Sequence, residues 1–265
     1  MNASRILVVA MTAFSLLKGR EVQAQSLALT LDGLRTSQID TAKERALSDL
    51  LKLGTKEGFP VCSPDATPQV RRGLIEALVN ENELLRADRP NIPVKGFSET
   101  ETDYYANLIG CVASLQDPLA LPGLLGAIET GGGAIDGIIA LGDAAVPGLT
   151  RVMRSPTEVR RRGAAAITVG RLVSRPRAQP LSEQSMRTIR STLLASLQDP
   201  DYFVRAVSVR SLTVFSDPEI RSAVASLEKS DTATRLEEGR TVYPVRVAAR
   251  EWLKQDSLKV RKTPQ

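Results

Sequence analysis

Asp199-Pro200-Asp201-Tyr202-Phe203-Val204-Arg205-Ala206-Val207-Ser208-Val209-Arg210-Ser211-Leu212 is the stretch from which the rest of the chain can be read. Asp-Pro is a helix start: the carboxylate caps exposed amides, and the proline sits where its missing N–H costs least. Val204-Arg205 is followed 4 and 7 positions after the Arg by Val209 and Leu212. Those offsets fall on one face of a helix, so the pattern predicts a buried stripe with an arginine beside it. The same ruler fits three other places. Val70-Arg71 gives Ile75 and Leu78, Val159-Arg160 gives Ala164 and Ile167, and Val245-Arg246 gives Arg250 and Leu253, with Arg250 the one polar mismatch. The steps start at 70, 159, 204 and 245.

Working outward, further helix starts are marked by Pro68, Asp117-Pro118, Ser155-Pro156 and Asp217-Pro218. Glycine and proline punctuate the segments between them. Gly131-Gly132-Gly133 reads as a hinge, Ser174 to Ser182 as an extended loop, and Ser230 to Tyr243 as a polar loop. No run shows the period-2 alternation of a strand, so the chain reads as all-α. The spacing of the last three Val-Arg steps, 45 and 41 residues, matches a helical-repeat period, and the first gap of 89 is about two such repeats.

These helix starts, Val-Arg steps and spacings resemble those of HEAT-repeat proteins over roughly residues 67 to 254, with Asp199–Leu212 in the place of a repeat's first helix. Pro122 departs from the pattern, standing where other repeats have Arg. The resemblance implies an α-α superhelix, a solenoid of antiparallel helix pairs whose concave face serves partners. It also implies that Arg160, Arg205 and Arg246 form a structural ladder with acidic groups of neighbouring repeats. The expected organisation is a signal peptide over 1–24, an N-terminal helical cap and loop over 25–66, repeats over 67–255 and a tail over 256–265.

The first segment is read from Arg5, an apolar run from Ile6 to Leu17, and the small-x-small triplet Val22-Gln23-Ala24. It implies export to a periplasmic or secreted location. Two cysteines, Cys62 and Cys111, are then candidates for a disulfide. The alternative is a pair of unrelated buried thiols.

The chain has no histidine, which removes His-based triads and the usual catalytic zinc sites. Charge is distributed unevenly. Residues 25–150 hold ten Lys/Arg against 17 Asp/Glu, a balance of −7, whereas residues 151–190 hold ten Arg against two Glu, a balance of +8. Arg151, Arg154, Arg161, Arg162, Arg171 and Arg175 are therefore candidate contacts for an acidic protein or peptide partner, with an anionic envelope surface as the second candidate. Tyr104 and Tyr105, beside an acidic run, are candidate aromatic anchors; packing is the competing reading for them. Nucleic acid is not expected as a partner, because residues 151–190 contain no Phe, Tyr or Trp on which bases could stack.

Glu99, Glu101 and Asp103 fit helix capping better than calcium. No cofactor or metal is expected. The function read from the sequence is an exported scaffold for protein–protein interaction without catalysis of its own. A self-associating envelope protein and an enzyme like the HEAT-like phycobilin lyases stand as alternatives.

Overall fold

A computed structural model of the chain describes residues 25–34, 40–58, 60–87, 99–156, 158–176 and 180–262. The proposed signal segment therefore lies outside the described residues. Among the described residues the fold is all-α apart from one small hairpin. It divides into two compact units, Met1–Gln116 and Asp117–Gln265, so the division falls inside the stretch expected to be one array.

The first unit holds a helix over residues 25–34 (α1), α2 (Asp40–Glu57), α3 (Pro68–Ala87) and α4 (Glu99–Ser114). Leu27, Leu31 and Leu34 recur at helical spacing and are buried. Leu31 lies against Gly73 of α3, where an added Cβ would stand 2.6 Å from a leucine methyl. α4 packs on both α2 and α3. Polar and covalent links join these helices besides apolar contact, among them a bond from Tyr105 of α4 to Asn82 of α3. Lys43 of α2 donates to Glu81 of α3 at 2.7 Å inside the core, and Cys62, in the loop after α2, is disulfide-bonded to Cys111 of α4. Their Cα atoms are 4.6 Å apart.

The second unit contains α5 (Leu121–Gly126), α6 (Gly132–Ala140), α7 (Val146–Met153), α8 (Val159–Ser174), α9 (Glu183–Ser196), α10 (Tyr202–Ser211), α11 (Pro218–Ser230) and α12 (Pro244–Lys262). α6, α8, α10 and α12 pack each against the next, and α5, α7 and α9 make a second row. α8 packs far more on α7 than on α9, and α12 extensively on α11. The Val-Arg helix is thus the second member of each close pair, where the sequence suggested the first. Capping sets the starts: Asp201 accepts from Phe203 N, Asp217 from Ile220 N and Ser182 from Ser185 N.

Two glycines permit the α8–α10 contact. A Cβ at Gly170 would lie 2.5 Å from Ser211 Oγ and 3.0 Å from Ser211 Cα, so backbone would have to move. A Cβ at Gly163 would meet only the half-exposed ring of Phe203. Gly170→Ala is expected to cost about 1–3 kcal/mol through overpacking. Gly163→Ala is expected to cost less than about 1 kcal/mol, since the ring can swing outward and alanine favours the helix. Urea unfolding of the two variants checks this, and equal losses would contradict it.

Three expectations are corrected. Gly131-Gly132-Gly133 is not a three-residue break: Gly131, at φ 75°, is the residue before α6, and the other two open that helix. The segment after α11 holds β1 (Arg235–Glu237) and β2 (Arg240–Val242), an antiparallel hairpin with Arg235 opposite Val242. Its two-residue turn, Glu238-Gly239, has φ 49° and 76°, the backbone that matches strand twist. The tail expected from Asp256 instead continues α12 as far as Lys262. Asp256 is buried there, accepting from Arg221 Nε at 2.8 Å and from Ser216.

Candidate functional site

The arginines of the second unit divide by what holds them. Arg162 is 4 % exposed, and its guanidinium grips Asp199 with Nε at 2.8 Å and Nη2 at 3.0 Å, while Nη1 donates to Ser155 O. Arg205 does the same one pair later, to Asp231 at 2.7 and 3.2 Å, and donates to Asp199 O. Arg162 and Arg205 both stand at the fourth position of their helices, as does Arg71, whose Nε donates to Ala66 O. Arg221 of α11 holds Asp256 of α12 at 2.7 Å. These forked pairs lock one helix to the next through charge-assisted bonds.

The register of the ladder differs from the sequence reading. In α8 the anchor is Arg162 and not Arg160, which is exposed. Counting 4 and 7 onward from Arg162 reaches Ala166 and Val169, both fully buried, whereas Ala164 and Ile167 are only partly so. In α12 the buried stripe is Val245, Ala248, Ala249 and Trp252, which leaves the mismatched Arg250 exposed. Arg246 donates to the Asp231 carbonyl, not to a carboxylate.

Arg190 of α9 bonds Asp217 at 2.8 and 2.9 Å and Glu219 at 2.6 Å, both at the start of α11. That guanidinium holds the Asp217 carboxyl below its ordinary value, and the Arg190 side chain is raised in turn. A carboxyl depressed in the folded state stabilises above its unfolded pKa and loses that contribution as pH falls through the folded one. The excess stability of the wild type over Asp217→Asn is therefore expected to be constant above about pH 5 and to fall below about pH 4. Urea midpoints measured across that range test it; a difference independent of pH would contradict it.

The candidate contacts fare unequally. Arg162 is withdrawn as a partner contact, because it is buried and its donors are occupied. Arg161 is withdrawn too: it is largely covered, bonding Glu158 at 2.6 Å and Leu125 O at 3.1 Å. Arg175, though exposed, pairs with Asp136 at 2.9 Å. Tyr104 is 1 % exposed and part of the first unit's core, so it cannot anchor a partner. Tyr105, half-buried, donates its hydroxyl to Asn82. The side chains of Glu99, Glu101 and Asp103, and all of Arg177, lie outside the described residues.

What remains is Arg151, Arg154 and Arg171, all exposed, together with Arg160, which the sequence reading placed in the ladder. Among the described residues none of the four has a carboxylate partner. Arg151 and Arg154 line a concavity of about 560 Å³ at the end of α7, with Pro147, Thr150, Ser155 and Pro156. A second concavity, about 650 Å³, lies in the first unit between α2 and α4, where Glu44, Ser48, Leu51, Asn107 and Ser114 surround the disulfide.

No protein-family description matches the sequence, and no curated protein matches it. Among solved structures, the crystal structure of an engineered protein is similar over 88% of this chain and 96% of that one, at 15% identity and a TM-score of 0.38. That likeness is too slight to bear on fold or function.

Proposed function

We propose that the chain is an exported helical-repeat module of the HEAT-like kind that binds a partner without catalysing a reaction. The observation that carries the reading is the division of the arginines. The chain's own carboxylates take up Arg161, Arg162, Arg175, Arg190, Arg205 and Arg221, and leave Arg151 and Arg154 uncompensated around one concavity. The C-terminal end of α7 favours a cation there, but it supplies only about half a charge for two guanidinium groups, and an acidic partner would supply the rest. The two rows of helices and the repeated fourth-position arginine support a solenoid. The disulfide supports export, since such bonds persist in oxidising compartments.

The test is capture from the native cell envelope, at low and high salt, by the wild type and by R151E/R154E. A specific protein held by the wild type at low salt and lost from the variant is the expected result. Retention by both would remove these arginines from the site. Self-association in low salt with nothing else captured would replace the module by an assembling envelope protein, as the acidic character of residues 25–150 would allow.

A further inference from the structure

Arg151 and Arg154 stand three positions apart in and just after the last turn of α7, so their side chains leave the helix on the same side. Among the described residues, no carboxylate lines the concavity they share. Arg154 is braced from the protein side, its Nη2 lying 3.4 Å from the hydroxyl of Thr192, which is buried on α9. Thr150 turns its hydroxyl to Pro147 O at 3.1 Å. Pro147 and Pro156 supply walls of fixed backbone geometry. The end of the α7 dipole favours cations at this place, but it does not neutralise two of them.

We propose that this concavity is a binding site for a phosphate-monoester group. Charge decides between the oxyanions a guanidinium fork accepts. A monoester carries about −1.5 to −2 at neutral pH and three acceptor oxygens, matching two arginines, whereas a single carboxylate would leave one uncompensated. The Ser155 side chain, on the same rim, is a further donor for such a group. The inference rests on the assignment of Arg151 and Arg154 as the free pair, and goes beyond it in naming the group they take. The group can come from a soluble phosphate ester or from a lipid headgroup.

The experiment is calorimetric titration of the full chain with inorganic phosphate near pH 8 at constant ionic strength, beside R151Q/R154Q, with acetate as the comparison anion. Both replaced side chains are exposed, and circular dichroism of the variant is the check that it is folded. Saturable phosphate binding is expected, weakened at least about tenfold in the variant, the equivalent of one lost charge-assisted bond. R160Q/R171Q is expected to bind as the wild type does. Equal binding by wild type and R151Q/R154Q, or acetate binding as tightly as phosphate, would overturn the proposal. Partner capture lost in R151E/R154E, with no phosphate binding by the wild type, would overturn this inference alone and leave the module reading standing.

Sedimentation with phosphatidylcholine vesicles containing phosphatidic acid separates the sources. Vesicle binding displaced by phosphate assigns the headgroup; phosphate binding without vesicle binding assigns a soluble ester.

Discussion

Asp199→Ala is expected to cost about 3–5 kcal/mol, because it strands the Arg162 guanidinium in the core of the second unit. Asp199 serves both sides of the α8–α10 contact. Its carboxylate takes both prongs of Arg162 and the Asp201 amide at 2.9 Å, and its carbonyl takes Arg205. Truncation removes a charge-assisted pair and leaves a buried cation unsolvated; the second effect is the larger. Chemical unfolding of the variant measures the loss. Replacing both residues by apolar ones of similar volume is expected to recover most of it, since the attraction in such a pair is largely offset by its desolvation. If the single variant lost less than about 1 kcal/mol, Arg162 would be reaching solvent, and the ladder would not hold the helices together.

The second large effect is expected from Cys62→Ser with Cys111→Ser. The bond closes a loop of 49 residues, for which the chain-entropy estimate is about 4 kcal/mol. It also fixes the segment between α2 and α3 against α4, at the floor of the larger concavity. The bond lies within the first unit, so the loss is expected to be local. Amide exchange should rise across α2, α3 and α4 and stay unchanged in α8, α10 and α12. Uniform acceleration through both units would contradict a local role.

Much of the fold was legible because the helix starts are written locally. Proline and Asp, Ser or Thr mark the onset of α3, α10 and α11, and the buried stripe of α10 follows its arginine at the expected offsets. The even, minimal cysteine count pointed to the bond that joins Cys62 to Cys111.

What was not legible depends on partners far along the chain. Arg160, Arg161 and Arg162 are chemically equivalent in sequence, and the run Gly163 to Ala166 is small enough to face either way. The carboxylate that takes Arg162 belongs to Asp199, 37 residues on. Asp256 looked like part of a polar tail because its partners, Ser216 and Arg221, are 40 and 35 residues before it. The hairpin strands, three residues each, are too short to show alternation. Tyr104 and Tyr105 differ by one step around α4, and that step decides between core and surface. Three consecutive arginines cannot share one face of a helix, but the sequence put Arg160 in the ladder and Arg162 at the surface, whereas the structure sends Arg162 inward and Arg160 outward.

The arginines of the second unit divide into a set that holds helices together and a set proposed to meet a ligand. Thermal unfolding of R162Q beside R151Q/R154Q tests this division most directly. R162Q, which leaves the Asp199 carboxylate without its cation and with only the Asp201 amide, is expected to lower the midpoint by several degrees, at roughly 2–4 °C for each kcal/mol lost. R151Q/R154Q should melt within about 1 °C of the wild type, since both side chains are exposed and the double variant gives up only the long bond from Arg154 to Thr192, at 3.4 Å. Equal midpoints for the two variants, or a larger fall in R151Q/R154Q, would show that the arginines are not divided in this way.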